Sequence, residues 1–146
     1  MTTAPSPTTP RLSYAFEIRA EVTEPLHIGH GAGERTDFTP ITGGTVRGPR
    51  LSGTVLSGGG DWSNTRGGVC ELEARYLLRA DDGAVIDIVN RGYYVEDSGY
   101  FRTAPTFRTD TPAHLWLTRT VFVGLARDEG NPEDGVTIAI RCYSVD

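Results

Sequence analysis

From Leu12 to Val22 every even position is apolar (Leu12, Tyr14, Phe16, Ile18, Ala20, Val22), while Ser13, Ala15, Glu17, Arg19 and Glu21 fill the positions between. A repeat of two residues sends alternate side chains to opposite faces, as a β-strand does and a helix of 3.6 residues per turn cannot. Pro25 ends this strand, and Gly29 to Gly33 reads as a loop.

The pattern returns along the chain. Glu71 to Arg79 alternates Leu72, Ala74, Tyr76 and Leu78 against mostly charged neighbours, and Asp81-Asp82-Gly83 turns it back into Ala84 to Tyr93. That is a β-hairpin with suitable turn residues. Thr45 to Leu56 is extended but broken at Gly48-Pro49 and Gly53, where a bulge or bend is expected. Tyr100 to Arg108 makes a short strand limited by Pro105, and His114 to Leu125 a long aromatic one whose β-branched continuation, Thr118 to Arg127, stays extended. Asp128 to Gly135 forms a hairpin loop before the last strand, Val136 to Val145. No segment has a helical period. About eight strands with short turns predict an all-β chain, a small closed antiparallel β-barrel whose glycine bends turn the corners.

At 146 residues one domain is the natural count. Residues 1–11 read as a disordered Pro/Thr-rich tail and 12–146 as the barrel domain. The net charge is −5 and all 14 basic residues are arginine. That balance argues against nucleic acid, whose backbone needs a concentrated basic surface. No apolar run reaches the roughly 20 residues of a membrane helix, and the N-terminus lacks a signal-peptide pattern, so a cytoplasmic location without membrane contact is expected. Cys70 and Cys142 stand far apart in sequence without a CxxC motif. They read as small apolar strand residues, with a disulfide left open.

Gly58-Gly59-Gly60-Asp61-Trp62 is the densest local feature. Asp61 at a strand end is either a general acid/base tuned by an apolar cavity, with Trp62 as a wall, or a turn carboxylate capping backbone N–H groups. In Tyr100-Phe101-Arg102-Thr103, alternation sets Phe101 and Thr103 on one face and Arg102 on the other. Arg102 either faces Asp61 as an anion clamp or sits in an ordinary salt bridge. His114 on its strand reads as structural. His27 and His30, with Asp37 or Glu34, have the donor types for a metal but nothing that fixes a geometry, so no metal or cofactor is expected.

Pro40-Ile41-Thr42-Gly43-Gly44-Thr45, Gly48-Pro49-Arg50-Leu51 and Gly58-Gly59-Gly60-Asp61-Trp62 resemble the DUF3237 family, also called UPF0311. The likeness continues in order through Ala74-Arg75-Tyr76, Asp81-Asp82-Gly83, Asn90-Arg91-Gly92, Tyr100-Phe101-Arg102-Thr103-Ala104-Pro105, Trp116-Leu117 and Arg119-Thr120-Val121-Phe122-Val123-Gly124. It spans about Leu12 to Val145. Two departures stand out: Thr118 replaces the usual Asn, and Asn90 to Tyr100 is shorter than in many members. The resemblance implies a barrel similar to allene oxide cyclase, with a pocket around Asp61, Trp62, Arg75, Asn90, Arg102 and Trp116.

Barrels of that shape often host cofactor-free chemistry on apolar substrates. The expectation is a cyclase, isomerase or lyase acting on a small, partly apolar oxygenated metabolite, with secondary metabolism as its setting. Asp61 would move a proton while Arg102 or Arg75 steadies negative charge. His30, Trp62, Tyr76, Asn90, Phe101, Trp116 and Arg119 are the expected substrate-binding residues. The alternatives are a lipocalin-like carrier using the same cavity and a ligand-free structural protein. The Thr103 to Arg108 strand and the terminal strands offer edges for pairing into a homo-oligomer.

Overall fold

The first strand, β1 (Leu12–Val22), forms where its alternation requires, but with its register shifted between Tyr14 and Phe16. Ala15 and Phe16 are therefore both buried, and Phe16, Ile18 and Ala20 point inward while Leu12 and Tyr14 stay exposed. A bulge of this kind changes the phase of a strand without breaking it. The computed structural model describes residues 7–130 and 135–146. Of the expected tail, residues 1–6 lie outside the described part, and Pro7 to Pro10 are exposed without regular structure. Positions 131–134 of the expected Asp128 to Gly135 loop also lie outside it.

The other strands are β2 (Leu26–Gly29), β3 (Arg35–Arg47), β4 (Gly53–Val55), β5 (Gly59–Arg66), β6 (Val69–Ala80), β7 (Val85–Val95), β8 (Phe101–Arg108), β9 (Phe122–Asp128) and β10 (Val136–Val145). All pair antiparallel. The circuit runs β1–β10–β9–β8–β7–β6, then through β4 and β5, which share one position, to β3 and back to β1. The result is a closed eight-position barrel. Closure leaves the staves no free edge for most of their length.

Two sequence expectations are corrected. Pro112–Arg119 is a 3₁₀ helix, not the start of a strand; the backbone is extended from Thr120, and the strand begins only at Phe122. Pro112 presets the φ of a first helical turn. The Thr118 and Thr120 hydroxyls donate back to the Leu115 and Trp116 carbonyls at 2.7 and 2.6 Å, so these β-branched residues serve the turn. The Gly58–Trp62 turn shrinks to Gly58 (φ 108°), and Gly59 already begins β5. Strands β2 and β5 and the first half of β3 escaped the sequence reading because β2 has only four residues, β5 has no apolar alternation, and β3 opens on mostly polar residues around Phe38, Pro40 and Ile41.

Side-chain size divides the interior. Toward the 3₁₀ helix, Phe16, Phe107 and Phe122 meet edge-on or tilted with ring centroids 5.2–6.0 Å apart, and Leu117 of the helix is buried with them. Toward the other end the inward positions shrink to Ala20 on β1, Ala74 on β6, Gly92 on β7, and Gly124 and Ala126 on β9. One half is packed and plugged; the other is hollow. Cys70 and Cys142 are free thiols, and burial pushes both pKa values up. Among the described residues no helix is long and apolar enough to cross a membrane.

Candidate functional site

The hollow half holds a cavity of about 280 Å³. That lies at the low end of the range for small-molecule sites. Ala20 and Val22 of β1, Ile41 of β3, Leu72 of β6, and Ile138 and Ile140 of β10 give it apolar walls. Into it project Asp61 from β5, Tyr76 from β6, Asn90 from β7 and Thr103 from β8. Each brings a buried polar atom without a hydrogen-bond partner: Asp61 Oδ1, the Tyr76 hydroxyl, Asn90 Oδ1 and Thr103 Oγ1. Buried polar groups are almost always paired, because leaving one unmade costs about 1–3 kcal/mol. Four such atoms on residues lining one cavity leave unused hydrogen-bonding capacity in a single region of the barrel.

Burial sets the electrostatics. Desolvation lifts the Asp61 carboxyl from 3.8 to about 7, opposed only in part by the Glu73 backbone amide. Near neutral pH this carboxyl can therefore give or take a proton. Burial also raises the Tyr76 phenol, which stays protonated as a hydrogen-bond donor.

Strand register explains which expected residues meet here. Asp61 lies opposite Ala74, and Ala74 opposite Asn90, so the three share an inward row. Tyr76 follows two residues along β6, and Phe101 also lines the cavity. The same alternation turns the others away. Trp62 is half exposed on the outer surface, its ring 4.7 Å from that of Phe38. Arg75 is outside as well, paired with Asp87 at 3.3 Å. Arg102 donates to the Phe101 carbonyl at 2.9 Å and lies over the Tyr100 ring. Arg102 therefore does not clamp Asp61, and neither Arg102 nor Arg75 lines the cavity to steady negative charge there. Replacing either arginine by alanine is expected to change urea-unfolding stability by less than about 1 kcal/mol, as for exposed ion pairs, and to leave ligand binding intact.

Trp116 belongs to the plug at the opposite end, where it packs on Phe122 beneath the Arg50 guanidinium, 3.7 Å from the ring centroid. Arg119 is exposed at the end of the plug, and His30 in the loop after β2. His27 pairs through Nδ1 with the buried Asp37 carboxylate, which Arg35 also contacts. Among the described residues no three His, Cys, Asp or Glu side chains gather as metal ligands. The residue that sequence reasoning passed over is Thr103. Its signal was present, since it shares a face with Phe101 while Arg102 drew attention to the other.

Comparison with known proteins agrees with the barrel. The profile of the family described as "protein of unknown function (DUF3237)" matches residues 10–145. A UPF0311 protein of Clostridium acetobutylicum is 39% identical over 127 residues, covering 74% of this chain and 80% of that protein. A crystal structure of a β-barrel-like protein from Acinetobacter baumannii superposes with a TM-score of 0.86 at 27% identity, covering 97% of this chain and 99% of that one. A Penicillium herquei protein named as a hydroalkoxylation enzyme is 30% identical over 120 residues, covering 81% of this chain and 75% of its own length.

Proposed function

This chain belongs to the DUF3237 family, and for it we propose cofactor-independent acid–base catalysis: the cyclisation, isomerisation or elimination of a small, partly apolar oxygenated metabolite held in the barrel. The observation that carries this reading is the meeting of four unpaired buried polar atoms in one apolar cavity, one of them a carboxyl with a pKa near 7. The enclosing walls orient a substrate and exclude water, and Asp61 moves the proton.

The Penicillium relative's name suggests a concrete form. Hydroalkoxylation adds an alcohol O–H across a carbon–carbon double bond. Neutral Asp61 would protonate one alkene carbon, and the substrate hydroxyl would bond to the other. The Asp61 carboxylate would then recover the proton that the hydroxyl releases. One C–H and one C–O bond form, the π bond breaks, and the mass of the substrate is unchanged. No co-reactant is required.

The test is a panel of phenols carrying an ortho-allyl or prenyl chain, followed by chromatography for a cyclic ether of unchanged mass. Conversion is expected to fall as pH rises through about 7, because the proton-bearing form of Asp61 is the donor. Asp61→Asn should lower it by about 10²-fold or more, the range of a lost general acid. Tight binding of the panel without conversion would favour the lipocalin-like carrier instead.

A further inference from the structure

We propose that the cavity selects a neutral oxygenated ligand such as a phenol, enol or hydroxyketone, excludes carboxylates and phosphates, and holds the ligand oxygen among Tyr76, Asn90 and Thr103. This rests on the reading of the cavity as a substrate site, and it adds the charge class of the substrate and the residues that recognise it.

Asn90 shares its row with Asp61, with only the methyl of Ala74 between them. Neighbouring strands lie about 4.8 Å apart, so the two backbones stand about 10 Å apart across an open floor. Ala74 and Ile88 neighbour Asn90 and Tyr76 in register, which sets the phenol diagonally beside the amide. Thr103 lies opposite Gly92, two residues along β7 from Asn90, and so takes the other diagonal. Tyr76 and Thr103 thus flank Asn90 on opposite diagonals, and Asp61 lies two strands away in the same row. An oxygen function that both donates and accepts satisfies such a set, and the rest of the molecule then extends toward Asp61.

Among the described residues no arginine or histidine lines the cavity, and the charged ones that do are Asp61 and the exposed Asp128. Arg75, Arg91 and Arg102 sit on the very strands that build the site, yet all three are exposed. An anionic ligand would lose its hydration beside a carboxyl with no counter-ion, a costly arrangement.

Thr103 is held between two glycines. A Cβ on Gly124 would stand 2.3 Å from Thr103 Oγ1, and one on Gly92 would stand 2.8 Å from Thr103 Cγ2. Glycine on both flanking strands leaves the room that this side chain occupies, so its hydroxyl is set in place before any ligand arrives.

A series on one apolar frame tests the inference with the full chain at pH 6.5: 2-naphthol, 2-naphthoate and 2-naphthylmethylammonium, measured by calorimetry. Naphthol is expected to bind, with naphthoate at least tenfold weaker. Thr103→Val and Asn90→Leu should each weaken naphthol several-fold, and Thr103→Ser, which keeps the hydroxyl, should restore most of the affinity. Naphthoate or the ammonium compound binding as tightly as naphthol would overturn the charge assignment. Naphthol binding that ignores both variants, or no naphthol binding at all, would overturn the oxygen site. Asp61→Asn separates the two readings, because it should abolish conversion of the phenol panel while leaving naphthol affinity within about twofold.

Discussion

Wild-type protein is expected to lose about 4 kcal/mol of folding stability between pH 4 and pH 8 relative to an Asp61→Asn variant, from a carboxyl that moves from 3.8 unfolded to about 7 folded at 1.36 kcal/mol per pKa unit. The sign follows from proton uptake. Between those two values the unfolded chain has already released the Asp61 proton while the folded chain still holds it. Protons therefore favour the folded state, and raising the pH withdraws that support until the folded carboxyl ionises too. Above about 7 the folded protein carries a buried carboxylate and the difference is complete. An amide at this position neither gains nor loses charge, so it removes this one contribution and leaves every other titrating group in place. Urea midpoints at pH 4 and pH 8 for both proteins make the measurement. The wild type should weaken relative to the variant at the higher pH, and parallel profiles would show that Asp61 is not desolvated. Against a typical total of about 5–15 kcal/mol the effect is large. It also needs no substrate, so it tests the environment of the proposed acid separately from its chemistry.

How much of this was legible beforehand depends on the strand. In β6 the alternation sorted Leu72, Ala74, Tyr76 and Leu78 from Glu71, Glu73, Arg75 and Arg79, and the structure keeps that sorting without exception. Arg75 could therefore have been set aside from its own strand; the family resemblance drew it into the candidate site. β5 is harder, because its sequence, Gly59-Gly60-Asp61-Trp62-Ser63-Asn64-Thr65-Arg66, has no apolar face. It sends the carboxyl inward and the indole outward, the reverse of what hydropathy predicts. That inversion sets a carboxyl on the inner face at an energetic cost, a break with the local rule of the kind expected where a residue moves a proton, as the proposed function has Asp61 do. The plug was illegible for a different reason. His114, Trp116 and Leu117 suit a strand or a short turn equally well, and only the open end of the barrel, a long-range feature, decides between them. The hollow half was written in the sequence as small residues at inward positions. Seeing it required knowing which strands are neighbours, and period-two alternation does not give pairing order.

Phe122→Ala is expected to cost about 3–5 kcal/mol, the range for removing a fully buried phenylalanine. The ring is 1% exposed and stands 5.2 Å from Phe107, 5.6 Å from Trp116 and 6.0 Å from Phe16, centroid to centroid. Its neighbours come from β1, β8 and the 3₁₀ plug, and no single element can move to refill the space. Ile138→Ala in the hollow half removes a branched side chain from a wall that already borders open volume, and so should cost about 1–2 kcal/mol, below the usual range for a packed core. Urea unfolding of both variants compares the two halves directly. Equal losses would mean that the barrel is packed uniformly and that the cavity is not a standing feature of the fold. The position of Phe122 adds a second reading. It lies at the opposite end of the barrel from Asp61, and distant substitutions that share no partners act independently. Phe122→Ala should therefore lower stability by the same amount at pH 5 and pH 8 and leave the Asp61-dependent pH profile unchanged. A changed profile would instead show that loosening the plug admits water to the carboxyl, making the packed end part of what keeps the site dry.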